Sequence, residues 1–203
     1  MKRFPQSWVF VMLVLLIPFS LYAAITWYQH KFSKLPVYGT ATTGSVSFIN
    51  QDNKPVTTQS WSNKIVVVDF FFTHCISVCP KMAENLKKVQ QAFSNDASVG
   101  ITSFTVDPED DSASQLKSYS QKFNIDNSKW QLLTGDKKEI YKLARNDFNL
   151  VATDGDGGAT DFIHSDKLVL LDKQQRIRGY YDGTDEKQTG QLINDIIKLE
   201  HEK

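Results

Sequence analysis

The chain has few cysteines: two in 203 residues, Cys75 and Cys79. That excludes a disulfide-stapled scaffold and a four-thiolate zinc site, so these thiols can act only as a pair or with other donors. Charge of one sign is missing too. With 23 basic and 23 acidic side chains there is no basic stripe to hold nucleic acid and no acidic tail. No internal repeat or low-complexity segment occurs. Asp154-Gly-Asp-Gly-Gly158 resembles a ligand loop only superficially. It lacks the Lys-Ser/Thr of a phosphate loop, and an EF-hand would need Glu where Ser165 stands.

One long hydrophobic run is present. Trp8 to Trp27 contains no charged residue, follows Lys2 and Arg3, and is bounded by Trp8 at one end and Trp27-Tyr28 at the other. About twenty apolar residues span the hydrocarbon core as a helix, and aromatic ends suit its interfaces. A membrane anchor over residues 1–29 is expected. A cleaved signal peptide is the alternative, although the run is long for one and no clear A-x-A site follows. The short basic end is expected to stay in the cytoplasm. The remainder is then exported, which suits a single-pass protein of a bacterial inner membrane with its C-terminal domain facing the periplasm or cell exterior. Residues 30–44 lack periodicity and are expected to form a tether.

Residues 45–203 are expected to form one α/β domain. Ile65-Val-Val-Val-Asp-Phe-Phe-Phe72 is a near-continuous apolar run, the pattern of a strand buried on both faces. Met82, Leu86, Val89 and Phe93 mark one face of a following helix, with Pro80 at its start. A hairpin is expected around Gln51-Asp-Asn, further strands at 99–106 and 130–133, and a helix from about Ser112 to Phe123. Another helix should open at Gly135-Asp136. Strands from His164 and from Arg176 should form a second hairpin at Lys173-Gln-Gln, and a helix over 186–200 closes the chain. Parallel strands joined by helices, then an antiparallel hairpin, give a mixed sheet flanked by helices. A thiol pair just after the first long core strand marks the fold as thioredoxin-like.

The chemistry is expected at Cys75 and Cys79. At i, i+4 on a helix, side chains share a face with Cβ atoms roughly 5–6 Å apart. Such thiols can form a disulfide or grip one metal ion. A helix N-terminus lowers a thiol pKa and favours the reactive thiolate. The alternative is a structural disulfide, but so short a loop removes little unfolded-state entropy. A metal would need a third donor. His164 opens a strand after the glycine-rich loop and is the candidate; an unassigned histidine at a loop edge is the other reading. His74 adjoins Cys75, Met82 offers a thioether or simply core packing, and Asp107-Pro108 is read as turn and cap chemistry.

Several segments together resemble a known family. V-V-V-D-F-F-F-T-H-C-I-S-V-C-P-K-M, T-V-D-P-E-D-D, L-L-T-G, H-S-D-K-L-V-L-L-D and R-I-R-G-Y-Y-D-G-T are similar, in order and spacing, to the Sco/SenC family. The resemblance covers roughly residues 45–199. It implies a membrane-anchored, thioredoxin-like copper protein that helps assemble the binuclear copper centre of cytochrome c oxidase. It also implies one copper, as Cu(I) or Cu(II), held by Cys75, Cys79 and His164. The copper-bearing oxidase subunit would be the partner, with other copper carriers or thiol reductants as further ones. Ile76 departs from the pattern, because the family commonly has proline there. The rival expectation is a thiol–disulfide oxidoreductase, with Cys75 and Cys79 as its redox-active pair, acting on the oxidase's copper-ligating cysteines or other envelope disulfides. Reductase motifs usually have two intervening residues rather than three, and such an enzyme leaves His164 without a purpose.

Overall fold

The computed structural model describes residues 6–32, 34–41, 46–150 and 165–202. They fall into two compact units divided near Lys34. The first contains α1 (Gln6–Phe32), which continues through Pro18. Its segment Val11–Tyr28 has a mean hydropathy of 1.9 and no side-chain burial, so it is long and apolar enough to cross a membrane.

The second unit is built on one sheet. Its strands are β1 (Gly39–Thr40), β2 (Ser47–Asn50), β3 (Pro55–Thr57), β4 (Ile65–Phe71), β5 (Val99–Thr105), β6 (Trp130–Thr134), β7 (Lys167–Leu171) and β8 (Arg176–Asp182). Their spatial order is β1-β8-β7-β4-β5-β6-β2-β3. β4, β5 and β6 are parallel and the other pairings antiparallel. The helices are α2 (Val78–Ala92), α3 (Ala113–Lys122), α4 (Lys137–Lys142) and α5 (Glu186–His201). This is the mixed, helix-flanked sheet expected from the sequence.

β4 is central, and every one of its residues is buried. Alternation divides it between two cores. Ile65, Val67 and Phe71 pack with Leu86 and Val89 of α2, Leu116 and Tyr119 of α3, and Leu192 and Ile196 of α5. Val66, Val68 and Phe70 pack on the other face with Phe104, Leu133, Tyr141 and Phe148. The expected turns are in place. Ser112 caps α3 by accepting the N–H of Gln115, and Asp136 caps α4 by accepting that of Glu139. β2 and β3 pair from Ser47↔Thr57 inward, and β7 and β8 form the second hairpin. A turn of π-helix at Leu143–Asp147 follows α4, a feature that sequence periodicity does not reveal.

Part of the stretch expected as a tether lies against the sheet. Gly39 and Thr40 pair with Ile177 and Arg176. Arg178, 2% exposed, donates to the carbonyls of Leu35 and Pro36 while pairing with buried Asp172 at 2.9 Å. The guanidinium's forked donors thus fasten the incoming chain to β8.

One residue of β4 breaks the apolar pattern. Asp69 is 2% exposed and falls on the same face of the strand as Val67 and Phe71. It accepts the Ser103 hydroxyl, which in turn accepts the Trp130 indole N–H at 2.7 Å. Burial pushes its pKa up to about 7, against the lowering effect of the Ser103 bond. The folded chain therefore holds a proton there between the ordinary carboxyl value of 3.8 and about 7, where the unfolded chain has lost it. Stability contributed by protonated Asp69 should fall as pH rises through that window and be gone above it. Asp69→Asn should flatten the pH dependence between these limits and raise stability at pH ~8 by on the order of a few kcal/mol. Denaturant unfolding of both proteins across pH checks this; parallel curves would refute it.

Candidate metal centre

The thiol pair lies where β4 hands the chain to α2. β4 ends at Phe71, a short loop carries Phe72 to Ser77, and α2 begins at Val78. The helix starts two residues earlier than Pro80 suggested, so only Cys79 sits in its first turn. Cys75 stands in the loop ahead of the cap residue Ser77 rather than on the helix. The pair nevertheless converges, because the N–H of Cys79 donates to Cys75 Sγ at 3.3 Å. Both thiols are free and both buried, with 9% and 5% of their surface exposed.

Their environments differ. Burial raises the Cys75 pKa. The Cys79 side chain and the backbone N–H groups of Cys79, Ser77 and Val78 lower it by more, leaving the thiol below its ordinary value. Those N–H groups belong to the helix start, where unpartnered donors converge on an anion. Cys79 is pushed up to about 12, first by burial, then by its bond to Cys75, and further by the charges of Cys75 and Asp69. Cys75 is therefore the more readily ionised thiol of the pair, and Cys79 holds its proton more tightly. Two sulfurs so placed suit thiol–disulfide exchange, or a soft metal that displaces the Cys79 proton.

The other candidates sort by position. His74 is exposed, with Nδ1 3.4 Å from Thr73 Oγ1. Ile76 is 96% exposed, an apolar side chain held out in water beside the pair. Met82 is 1% exposed and belongs to the α2 core. A Cβ placed on Gly183 would stand 3.0 Å from its Cγ, so the thioether is close-packed and is core rather than ligand. Asp107, raised by burial and by the charges of Asp110 and Asp111, closes the turn after β5, its N–H donating to Thr105 Oγ1. His164 and the Asp154-Gly-Asp-Gly-Gly158 loop lie outside the described residues. Among the described residues no three His, Cys, Asp or Glu side chains come together as a metal-binding group. The pair thus supplies two donors.

Sequence reading missed Asp111. Its carboxylate is fully buried and accepts from both the backbone and the hydroxyl of Thr73, two residues ahead of Cys75. The only signal in the sequence is an acidic run that turn and cap chemistry also explains.

Solved structures of known proteins share this fold. The family model described as SCO1/SenC matches residues 37–200. A SCO1/SenC family lipoprotein from Bacillus anthracis is 31% identical, with a TM-score of 0.72 over 83% of this chain and 99% of its own. BsSco, a member of the Sco family of cytochrome c oxidase assembly proteins with an identified disulfide switch, is 26% identical. Its TM-score is 0.70 over 83% of this chain and 98% of its own. ScoI of Arabidopsis thaliana, solved with copper bound, is 26% identical, with a TM-score of 0.61 over 78% and 99% of the two chains. The match takes in the whole sheet from β1 to β8 with both cysteines at the β4–α2 junction, and the chain belongs to the SCO1/SenC family.

Proposed function

We propose that the chain is a copper metallochaperone of the cell envelope, holding one copper through Cys75, Cys79 and His164 and passing it to the copper-bearing subunit of cytochrome c oxidase. The observation that carries this reading is the convergence of the two thiols at the start of α2, with Cys79 N–H 3.3 Å from Cys75 Sγ. Copper-bound ScoI and the oxidase-assembly role of BsSco support both cargo and destination. Helix α1 would anchor the protein in the bacterial inner membrane, with the copper domain on the periplasmic or outer side. An oxidising compartment is where thiol-to-disulfide conversion is possible.

The thiols divide the work. Cys75, already inclined to thiolate, makes the first contact with the metal. Cys79 then gives up its proton and closes the grip, and the His164 imidazole completes a donor set of mixed softness suited to both copper oxidation states. Release follows by ligand exchange with the acceptor's own donors, helped by the exposure of the loop at His74, Ile76 and Ser77. Copper is cargo here, so the site must hold it without trapping it.

A second reading, thiol–disulfide oxidoreductase, is favoured by the asymmetry of the pair. One thiol is lowered and attacks; the other is buried, raised to about 12 and resolves the mixed disulfide. The two readings use the same sulfurs and differ over His164.

His164→Ala should weaken copper(II) binding and alter its spectrum while leaving copper(I) binding by the two thiolates largely intact. Titration of the reduced protein with each oxidation state tests this, and unchanged copper(II) spectra and affinity would remove His164 from the site. Because Cys79 carries its proton near neutrality, copper loading should release at least one proton. Apparent affinity should then fall by about tenfold for each pH unit lowered between ~8 and ~6. Competition against a chelator of known pH dependence reads that slope; a flat profile would mean that Cys79 does not ligate.

A further inference from the structure

The loop that carries Cys75 is fixed at both ends, and one carboxylate fixes the upstream end. Asp111 lies in the turn between β5 and α3 and is 0% exposed. Its Oδ2 accepts the Thr73 backbone N–H at 3.0 Å and the Thr105 hydroxyl at 2.5 Å. Its Oδ1 accepts the Thr73 hydroxyl, also at 2.5 Å. Thr73 Oγ1 is further approached by Gln115 Nε2 of α3 at 3.5 Å. Downstream, α2 is packed against the sheet through Met82, Leu86 and Val89, so Cys79 has little freedom. What Cys75 can do relative to Cys79 is decided by the residues between these fixed points.

We propose that Asp111 is a positioning residue for the thiol pair. By gripping Thr73 through both its N–H and its hydroxyl, it sets where the chain leaves β4. It thereby holds Cys75 Sγ against the N–H of Cys79. Thr105 ties the same carboxylate to the end of β5, whose residue Thr105 is in register with Phe71 of β4. The sheet, the acidic turn and the cysteine loop are thus joined at a single buried side chain. With that grip gone, Cys75 samples a wider set of positions, and the effective concentration of one sulfur at the other falls. The inference rests on the two cysteines being the working pair, and it holds whether they hold copper or exchange disulfides.

The test is equilibration of the full-length chain, in detergent, with glutathione redox buffers. Two protein thiols and one oxidised glutathione give one intramolecular disulfide and two reduced glutathiones. The equilibrium constant therefore measures how well the sulfurs are placed. Asp111→Ala should lower this constant by on the order of tenfold. Asp111→Asn, which keeps the shape and can still bond Thr73 and Thr105, should recover most of it. Thr73→Val, which removes only the hydroxyl, should shift it the same way by less, and it carries the test if Asp111→Ala does not fold. Asp195→Ala is the control for stability alone, because Asp195 is another buried carboxylate, accepting from Tyr181 and Gln191 at 2.9 Å each in α5. It should lower the melting temperature and leave the constant within about twofold. The proposal is overturned if Asp111→Ala and Thr73→Val leave the constant at the wild-type value, or if Asp195→Ala shifts it as much. A parallel copper titration separates the readings. If the wild-type protein binds no copper while Asp111→Ala still lowers the constant, the chaperone reading fails and the positioning role stands.

Discussion

β4 is buried along its whole length, and the rest of the domain follows from that constraint. A strand covered on both faces needs parallel neighbours or hairpins beside it and helices above and below. Its seven residues are sorted by alternation into two separate cores. At its C-terminal end the chain must emerge from this packed interior and start a helix within a few residues. The cysteines occupy that exit. Loose helix-start N–H groups and a nearby low-dielectric core are both unavoidable there, and together they push two neighbouring thiols in opposite directions.

Two carboxylates bracket the site without touching solvent. Asp69 lies in the sheet on the face that α2 covers, and it contributes to holding the Cys79 proton in place. Asp111 sits beyond the end of β5 and holds the backbone ahead of Cys75. The first acts through charge and the second through hydrogen bonds. An acidic group buried beside a site that takes up a cation is costly when that site is empty and less costly when it is filled, since the cation offsets the local negative potential. Arg178 does a different job at the far side of the sheet. There a buried guanidinium, paired with Asp172, fastens residues 35 and 36 to β8, so the polypeptide reaching the domain becomes part of its sheet.

Most of the sheet, the order of its helices and the identity of the thiol pair are legible in the amino-acid sequence. Each is written in local pattern: an apolar run for β4, helical spacing of Met82, Leu86 and Val89, cap residues Ser112 and Asp136, and two cysteines in a single stretch. Position made His164 a candidate third donor, and family resemblance added copper and singled that histidine out as its expected ligand. It took the tertiary fold to set Cys75 off the helix and Cys79 on it, and hence to make one thiol more readily ionised than the other. Only it showed residues 39 and 40 as a strand, Met82 as closed core, and Asp111 as the anchor of the cysteine loop. The physical reason is the same in each case. Burial, hydrogen-bond direction and pKa depend on groups far apart in the chain, such as Asp111 and Thr73 or Arg178 and Leu35, and no local pattern records which of them will meet.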